Sequence, residues 1–441
     1  MSDFDLPQTP AGAWLAWWIG MLNSGGEGAE PSEWDRYAPS LRQSLGELPM
    51  TVEAMQASWR ANLGRIGEVT EVAIETDEPC AVVVEVKTAK ARRWVVSFDV
   101  EPEPPHRLIR SKIERRHEFE LGFREATAAD AAILADIERR CPIVMGETSV
   151  HFDRGDDYMA ATRLMEDCSI GLASVDGVPA AVSCGAEHVV RVGGLLKKMI
   201  TVSHLRVLPE HQRKGLWGAA NKVLDKYWDH VDGSNAYISV DNLGMQHGFA
   251  NTPNKWPQQV HRVPLDCAAL ARPAAGRPAT VADAGHIVER LNAFHEPEEM
   301  FVPYTVESFS RRMDRAPDLY GWDRIWLTDG AVVGAWAFGN ALRLITEVGG
   351  ERTVSRSGVV LDYAFAPGAE AELEALLRAC CGRLAGEGFD TLVIYSSPAS
   401  PGAAMLERIG PAAERFFMWT PGIAVPDGAE SRGLYVDAAY F

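Results

Sequence analysis

The chain has 441 residues, 46% of them hydrophobic and 24% charged, which is the composition of a globular protein with room for about three domains rather than of a disordered one. Its formal net charge of −18 argues against nucleic-acid binding, which needs a basic surface, and against adhesion to an anionic membrane. The seven cysteines are scattered and no CxxC or HExxH spacing occurs, so we expect reduced thiols, a cytoplasmic protein and no metal site.

The first predicted elements are helices followed by strands, over residues 1–117. The start lacks a basic n-region, so we expect no signal peptide. Apolar residues at helical spacing predict a buried helix over 11–22, too short to span a bilayer, and two further helices near 32–46 and 51–63. β-rich segments then predict four strands: Val69–Glu75, Ala81–Lys87, Trp94–Val100 and Leu108–Glu114. This order predicts an α+β domain.

The same order, together with the phrase VEPEPPHRL at 100–108, resembles the nuclear-transport-factor-2-like (NTF2-like, cystatin-like) domains that precede some bacterial enzymes. The resemblance implies either a module that binds a hydrophobic molecule or one that mediates packing and dimerisation. It therefore leaves a homo-oligomer open, and the residues of this segment form no catalytic constellation.

An internal repeat fills the rest of the chain. Arg124–Ala131 (REATAADA) recurs as Arg277–Ala284 (RPATVADA), and each copy predicts a threonine N-cap followed by a helix with aspartate in its first turn. Asp176-Gly177 and Asp329-Gly330 each predict a hairpin. The element order β-α-(α)-β-β-β-α-β-α-β thus occurs twice, which predicts two α/β domains at 120–272 and 275–441.

Later elements of the two copies also correspond. The first hairpin is predicted to join strands over Ser169–Val175 and Val178–Val190, and the second to join strands over Trp322–Thr328 and Ala331–Glu347. A helix is predicted over Gly218–His230 in the first copy and over Ala369–Ala385 in the second.

The most informative motif is ITVSHLRVLPEHQRKGLWG at 200–218. A strand ends at Val207, and a loop with Gln212, Arg213, Lys214 and Gly215 leads into a helix. Backbone N–H groups at a helix N-terminus favour an anion, and glycine allows a phosphate to approach closely. The motif therefore predicts a phosphate-binding loop in an otherwise acidic chain.

These residues resemble the CoA-binding motif of the GCN5-related N-acetyltransferases (GNAT family), in which Gln/Arg-x-x-Gly-x-Gly/Ala follows a strand. Gln212, Gly215 and the preceding LRVLPEH match, whereas Trp217 replaces the final small residue and Gly218 follows one place later. The resemblance implies acetyl-CoA as acyl donor, a loop that binds its pyrophosphate, and strand backbone that pairs with its pantetheine arm. The implied cofactor-binding residues are Leu205, Arg206, Val207, Gln212, Arg213, Lys214, Gly215, Leu216, Trp217, Gly218 and Asn242.

The catalytic residues of the family do not carry over. Its usual base positions fall on Thr201 and Ser203, and its usual acid, a tyrosine, falls on Phe249. His204 is one residue out of step, and strand alternation places it on the other face unless a bulge intervenes. The remaining candidates for the base are Glu187, His188 and His204, for which an exposed strand face is the alternative reading of the first two.

The second copy departs from the family at the loop. Its equivalent segment, Ala364–Leu373, lacks the Gln or Arg and carries Glu370 and Glu372 where pyrophosphate would lie, so we expect it to bind CoA poorly. The resemblance is to a tandem acetyltransferase with one degenerate half.

In the first copy, acidic residues either recognise a cationic acceptor or are simply solvated: Glu147, Asp153, Asp156 and Asp157. The apolar tail ending at Phe441 packs or brings its carboxylate to the site.

The sequence therefore predicts an acetyl-CoA-dependent N-acetyltransferase with a small-molecule amine as acceptor. Two alternatives stay open. One is a non-catalytic protein that binds acetyl-CoA and acts as a sensor or scaffold, which the missing base and acid favour. The other is an acyltransferase that uses a different acyl-CoA, for which the bulky Trp217 is relevant.

Overall fold

The chain divides into two compact units, Met1–Phe119 and Glu120–Phe441, each with its own hydrophobic core. The computed structural model describes residues 4–27, 30, 35–38, 52–116, 119–145, 147–155, 157–243, 245–246, 255–273 and 275–440. None of the helices within these ranges is both long and apolar enough to cross a membrane.

The first unit consists of two described helices and an antiparallel four-stranded sheet of order β1-β2-β3-β4. Its elements are α1 (Pro10–Asn23), α2 (Val52–Ile66), β1 (Val69–Glu78), β2 (Ala81–Thr88), β3 (Arg93–Val100) and β4 (Leu108–Arg116). The four predicted strands and the helices predicted over 11–22 and 51–63 are confirmed. Most of the helix predicted near 32–46 lies outside the described residues, and the NTF2-like identity stays a prediction.

The core of this unit forms between α1 and the sheet. Thr9 caps α1 by accepting a hydrogen bond from the Gly12 N–H at 3.1 Å. Alternate residues of β2 are fully buried, and so are Leu15 and Leu22 of the helix. The helix is apolar on most of its circumference because it is enclosed, as the sequence predicts.

The second unit is built on one 15-stranded sheet with helices packed against it. Its helices are α3 (Ala131–Arg139), α4 (Leu216–Ala220), α5 (Cys267–Leu270), α6 (Ala284–His295), α7 (Val306–Arg315), α8 (Glu370–Gly386) and α9 (Ala403–Ile409). Its strands are β5 (Leu121–Glu125), β6 (Ile143–Met145), β7 (Thr148–Asp153), β8 (Asp167–Val175), β9 (Val178–Val192), β10 (Leu195–Val207), β11 (Gly233–Ser239), β12 (Lys255–Asp266), β13 (Arg277–Pro278), β14 (Ile325–Leu327), β15 (Ala331–Trp336), β16 (Arg343–Val348), β17 (Glu351–Phe365), β18 (Thr391–Ser396) and β19 (Glu414–Trp419).

The repeated motif has the same local structure in both copies. Its residues are Arg124, Thr127 and Asp130 in the first copy and Arg277, Thr280 and Asp283 in the second. In each, the aspartate accepts a hydrogen bond from the threonine N–H at 2.8 Å and binds the arginine through both carboxylate oxygens. This reciprocal capping starts α3 and α6 in the same way, so the predicted helix starts are confirmed.

The strand order is β13-β14-β15-β17-β18-β12-β19-β11-β10-β9-β8-β5, with β6 and β7 attached to β17 through β16. Each half contains an antiparallel set followed by one parallel pair, β10 with β11 and β17 with β18. The last strands are exchanged: β12 lies between β18 and β19, and β19 lies between β12 and β11. Sequence patterns did not predict this exchange.

Two predicted elements are wrong in extent. The strand predicted over Ala331–Glu347 is interrupted after Trp336 by a 3₁₀ turn at Phe338–Asn340, where a Cβ on Gly339 would come within 2.8 Å of Phe389 and Arg356. The helix after the loop opens at Leu216 as predicted, but it does not continue as an α-helix to His230: it ends at Ala220 and is followed by a 3₁₀ helix over Asn221–Lys226. There Asn221 is held to the sheet by a 2.6 Å hydrogen bond from Ser183.

Candidate functional site

The two parallel strands of the first half separate partway along their length. β10 and β11 pair only at Met199–Thr201 and Gly233–Asn235. Beyond Thr201 the strands diverge, and residues 202–207 are half-buried rather than enclosed in the sheet. The strand edge of β10 is therefore open along the segment that the sequence predicts to pair with an extended ligand.

A bulge lies in β10 at the start of this opening. Ser203 pairs with Cys184 and Arg206 with Val182, so β10 has one residue more than β9 between these two pairs. His204 adopts φ = +51°, which is uncommon for a residue other than glycine. The bulge brings the His204 side chain to the cavity described next. From the sequence, His204 is a candidate base only if such a bulge is present.

A cavity of about 430 Å³ opens from the gap between β10 and β11. The second half contributes its own diverging pair, since β17 and β18 pair only at Ser357–Val359 and Thr391–Val393. All four strands contribute side chains to the same cavity. The lining residues from these strands are Val202, Ser203, His204, Arg206, Tyr237, Ser239, Ser355, Ser357, Val359, Val393 and Tyr395.

A buried ionic cluster forms the wall of the cavity at the bulge. The Glu138 carboxylate accepts a hydrogen bond from Arg154 Nε, and Arg206 Nη2 lies 3.6 Å from Glu138 Oε1. Burial acts to raise the pKa of Glu138, but the two arginines outweigh it and hold the pKa at about 2. The cluster therefore keeps a charged carboxylate inside the protein.

His204 takes part in this cluster as a neutral ring. Its Nε2 lies 3.2 Å from Arg154 Nη2. Burial, and next the charge of Arg154, lower the pKa of His204 to about 3. A histidine with this pKa is uncharged at neutral pH and a weak proton acceptor.

His188 lies near the point where β10 and β11 separate. Its Nε2 is 2.8 Å from Thr201 Oγ1, which in turn donates to Asn235 Oδ1 at 2.8 Å. The imidazole stacks on Tyr440, with ring centroids 4.5 Å apart. Burial lowers the pKa of His188 below 6.5. His188 does not line the 430 Å³ cavity; it lines a separate cavity of about 140 Å³, and Tyr440 lines both.

Glu187, the adjacent candidate, does not line this cavity. Its carboxylate binds Lys198 at 2.7 Å and His230 at 2.6 Å. Burial acts to raise the pKa of Glu187, but these hydrogen bonds outweigh it and lower the pKa. Of the three candidates, the structure therefore brings His204 to this cavity, places His188 in the smaller cavity that shares Tyr440, and leaves Glu187 in an ion-pair network. The catalytic role of all three stays a prediction.

The predicted phosphate-binding loop follows β10 directly. Arg213 and Gly215 both have left-handed backbones, with φ of +64° and +88°, and α4 begins at the next residue, Leu216. Gln212, Arg213, Gly215, Trp217 and Gly218 are exposed. A Cβ built on Gly218 meets no atom within 4 Å. The loop thus presents an open backbone surface at the start of a helix.

Other predicted ligand contacts have partners within the protein. The Leu205 carbonyl accepts from Arg206 Nη1 at 2.9 Å, and Val207 pairs with Ala181. Asn242 Oδ1 accepts from the Met245 N–H at 3.1 Å, which caps the turn that follows. Lys214 Nζ lies 3.2 Å from His211 Nδ1. Phe249, the position of the family's acid, lies outside the described residues.

The equivalent loop of the second half carries negative charge. After β17, Gly368 has φ = +84° and α8 begins at Glu370. The Glu372 carboxylate accepts from the Gly330 N–H at 2.9 Å, in the preceding hairpin turn. The weak CoA binding expected of this half stays a prediction.

Sequence patterns missed Glu138, near the end of α3, and Arg154, directly after β7, because neither residue belongs to a motif. From the sequence, we considered the acidic residues near Arg154 as the group that recognises the acceptor. Asp153 pairs with Arg343 at 2.7 Å and Asp157 pairs with Arg163, whereas Asp156 lies outside the described residues. Within the part of the chain that is described, no three His, Cys, Asp or Glu side chains form a group able to hold a metal.

Comparison with known proteins identifies the fold. No family model and no curated protein sequence matches the chain. Saccharomyces cerevisiae N-myristoyltransferase with bound myristoyl-CoA aligns with a TM-score of 0.51 at 9% identity, over 77% of this chain and 92% of that chain. A structure of that enzyme with myristoyl-CoA and inhibitors gives 0.50 at 10% identity, over 72% and 86%. A GCN5-related N-acetyltransferase from Kribbella flavida gives 0.37 at 14%, over 68% and 71%.

The fold of this chain is therefore similar to that of N-myristoyltransferase, and its second unit is built on a mixed α/β sheet. In this general form the predicted fold is confirmed. The assignment of the two halves as tandem acetyltransferase domains, with boundaries at 120–272 and 275–441, stays a prediction.

Proposed function

We propose that this protein is an N-acyltransferase that transfers an acetyl group from acetyl-CoA to a small-molecule amine, using the first half of a tandem pair of acyltransferase domains. The observation that carries the proposal is the divergence of β10 from β11 with a bulge at its start, which opens β10 to a cavity. An extended pantetheine arm can pair with such an edge. The loop from Gln212 to Gly218 then lies at the phosphate end of the ligand.

The reaction joins the amine nitrogen to the thioester carbonyl carbon, and the C–S bond breaks with release of the CoA thiol. The nitrogen must lose a proton, and the carbonyl oxygen carries negative charge in the intermediate. A bulge leaves backbone groups out of the strand ladder, and an N–H of that kind can stabilise the oxyanion.

Among the three candidate bases, the contacts of His188 favour it. It is neutral at pH 7 and is hydrogen-bonded to Thr201, at the last paired position before the strands diverge. His204 is a much weaker acceptor because its pKa is about 3. His188→Gln should lower kcat at least tenfold and leave the Kd for acetyl-CoA within twofold, whereas a purely structural role would change both.

A longer acyl donor is the second candidate, because much of the cavity wall is apolar. Its apolar members include Ile143, Val150, Phe152, Leu342, Leu344 and Phe416. A hydrocarbon chain buried there would gain about 0.8 kcal/mol per CH₂. The relative turnover with acetyl-CoA and with longer acyl-CoA donors therefore distinguishes the two candidates.

The test is release of CoA thiol from acetyl-, propionyl-, malonyl- and myristoyl-CoA with a panel of primary amines. Turnover with acetyl-CoA supports the proposal, and a preference for a longer donor supports the second candidate. Tight binding of acetyl-CoA without thiol release from any donor would instead indicate a sensor, and absence of acyl-CoA binding would overturn both.

A further inference from the structure

The ionic cluster at the bulge of β10 has more positive than negative charge. Two guanidinium groups, Arg154 and Arg206, face one carboxylate, Glu138, and His204 is neutral. Arg154 and Glu138 are buried, with 7% and 0% of their surface exposed. An excess positive charge in a buried site is costly unless an anion compensates it.

Several donors of the same cluster lack hydrogen-bond acceptors. Among the described residues, Arg154 Nη1, Arg206 Nε, His204 Nδ1 and the Tyr158 hydroxyl are buried without a partner. Nearly all buried polar groups in folded proteins are paired, so four unpaired donors on neighbouring residues need an explanation. Arg154, His204 and Arg206 all line the cavity, so three of the four residues with unpaired donors are within reach of a ligand bound there.

Neighbouring arginines show what a purely structural pair looks like in this protein. At another part of the cavity wall, Arg262 faces Glu414 at 3.6 Å, one charge against one. Arg343 is likewise matched by Asp153 at 2.7 Å. The cluster at the bulge differs because its second arginine has no carboxylate of its own among the described residues.

We propose that Arg154 and Arg206 form the binding site for a carboxylate of the substrate. This inference rests on the proposed function, because it assigns a substrate class to the same cavity. A carboxylate would balance the charge and accept hydrogen bonds from the two guanidinium groups. It can belong to the acceptor, as in an apolar amino acid, or to the acyl donor, as in a dicarboxylic acyl-CoA.

The acceptor arm compares acids with their amides. Binding of L-leucine and L-leucinamide, and of L-phenylalanine and L-phenylalaninamide, is measured by calorimetry on the full-length protein with acetyl-CoA present and absent. We expect each acid to bind at least tenfold more tightly than its amide. The donor arm compares succinyl-CoA with butyryl-CoA, and a tenfold preference for succinyl-CoA would assign the carboxylate to the donor instead.

Arg154→Gln should abolish the preference in whichever arm shows it and leave the neutral member of the pair within twofold. Arg154→Lys keeps the charge and should restore part of the preference. Arg343→Gln, which removes a paired arginine outside the cavity lining, is the matched control and should retain the full preference. Thermal unfolding checks that each variant folds, and Arg206→Gln replaces Arg154→Gln if the latter does not.

The inference is overturned if neither acid nor succinyl-CoA is favoured over its neutral counterpart, or if Arg154→Gln leaves the preference intact. Failure of the proposed function has a different signature: acyl-CoA does not bind and no thiol is released. In that case the acid–amide comparison without acyl-CoA still decides whether the cluster binds a carboxylate.

Discussion

At the scale of single residues, His204 combines a left-handed backbone with a buried neutral ring. A β-region backbone is normal for a strand residue, and φ = +51° is held here by the pairing of β10 on either side of the bulge. The ring is enclosed beside Arg154, which opposes its protonation. The backbone at the bulge therefore holds the His204 ring in a buried position, where it stays uncharged.

The low pKa of His204 predicts that the unfolding free energy depends on pH. The folded-state pKa of His204 is about 3 and its unfolded value about 6.5, so only the unfolded chain binds the proton between these limits. The unfolding free energy that this pKa difference contributes is fully present above pH 6.5. It is lost progressively as the pH falls from 6.5 towards 3. Between pH 7 and pH 5, the wild type should lose about 2 kcal/mol more unfolding free energy than His204→Gln.

Urea unfolding of both proteins at the two pH values measures this difference, and the other histidines cancel in the comparison. Equal losses in the wild type and the variant would mean that His204 is protonated in the folded protein. It would then be a stronger base than its surroundings indicate.

Gly218 offers a sharp test of the loop. Its φ is not in the left-handed region, and a side chain there meets no protein atom within 4 Å. Gly218→Glu should therefore fold, with a melting temperature within a few degrees of the wild type, but it places a carboxylate where the pyrophosphate is proposed to bind. We expect at least a hundredfold weaker acetyl-CoA binding by calorimetry.

Glu370→Gln is the matched control, because it changes one charge at the equivalent place in the second half. It should leave acetyl-CoA affinity unchanged. Affinity retained in Gly218→Glu would rule out this loop as the phosphate site.

At the scale of elements, the starts of α3 and α6 use the same three residues for the same hydrogen bonds. The motif could be identified from the sequence because it is local: each partner lies within six residues of the other. The exchange of β12 and β19 could not, because it pairs strands far apart in the chain. The bulge joins neighbouring strands, but the alternation of β10 does not mark where the extra residue lies. An alternating strand fits many partners, and its sequence does not specify which one.

The same distinction applies to the candidate site. The loop from Gln212 to Gly218 was predicted from contiguous residues. Glu138 lies on α3 and Arg154 follows β7, and only the folded chain brings them beside His204. Sequence reasoning weighed the acidic residues around Arg154 as the recognition group and so overlooked the basic one.

Removing the capping aspartates tests the structural equivalence of the two helix starts. Asp130→Ala and Asp283→Ala each delete the acceptor of the threonine N–H and of the arginine. We expect each to lower the unfolding free energy by about 1–2 kcal/mol, the usual cost of a lost N-cap. Chemical denaturation measures both, and a cost confined to one copy would contradict the equivalence.

At the scale of the whole second unit, neither half completes its own sheet. β11 pairs with β19, and β12 pairs with β18 and β19. A fragment of residues 120–272 therefore has β12 without its partners and β11 with an open edge. Such edges promote aggregation, because their backbone groups lack partners.

We expect residues 120–272 to be insoluble or to unfold without a cooperative transition, while residues 120–441 unfold cooperatively. Co-expression of residues 273–441 should rescue the shorter fragment by supplying β18 and β19. A cooperative transition of 120–272 alone would show that the exchanged strands are dispensable for folding of the first half.

The exchange of strands also means that the first half cannot complete its sheet until the second half has been synthesised. β11 ends at Ser239, but the strand that covers it begins only at Glu414. At about 5–20 residues per second, the ribosome needs roughly 10–35 s to make the intervening chain. For that time the nascent first half has an uncovered sheet edge, and its cavity still lacks the wall that the second half provides. Prematurely terminated chains would thus be unable to bind substrate, and they would expose the surface that chaperones and proteases recognise.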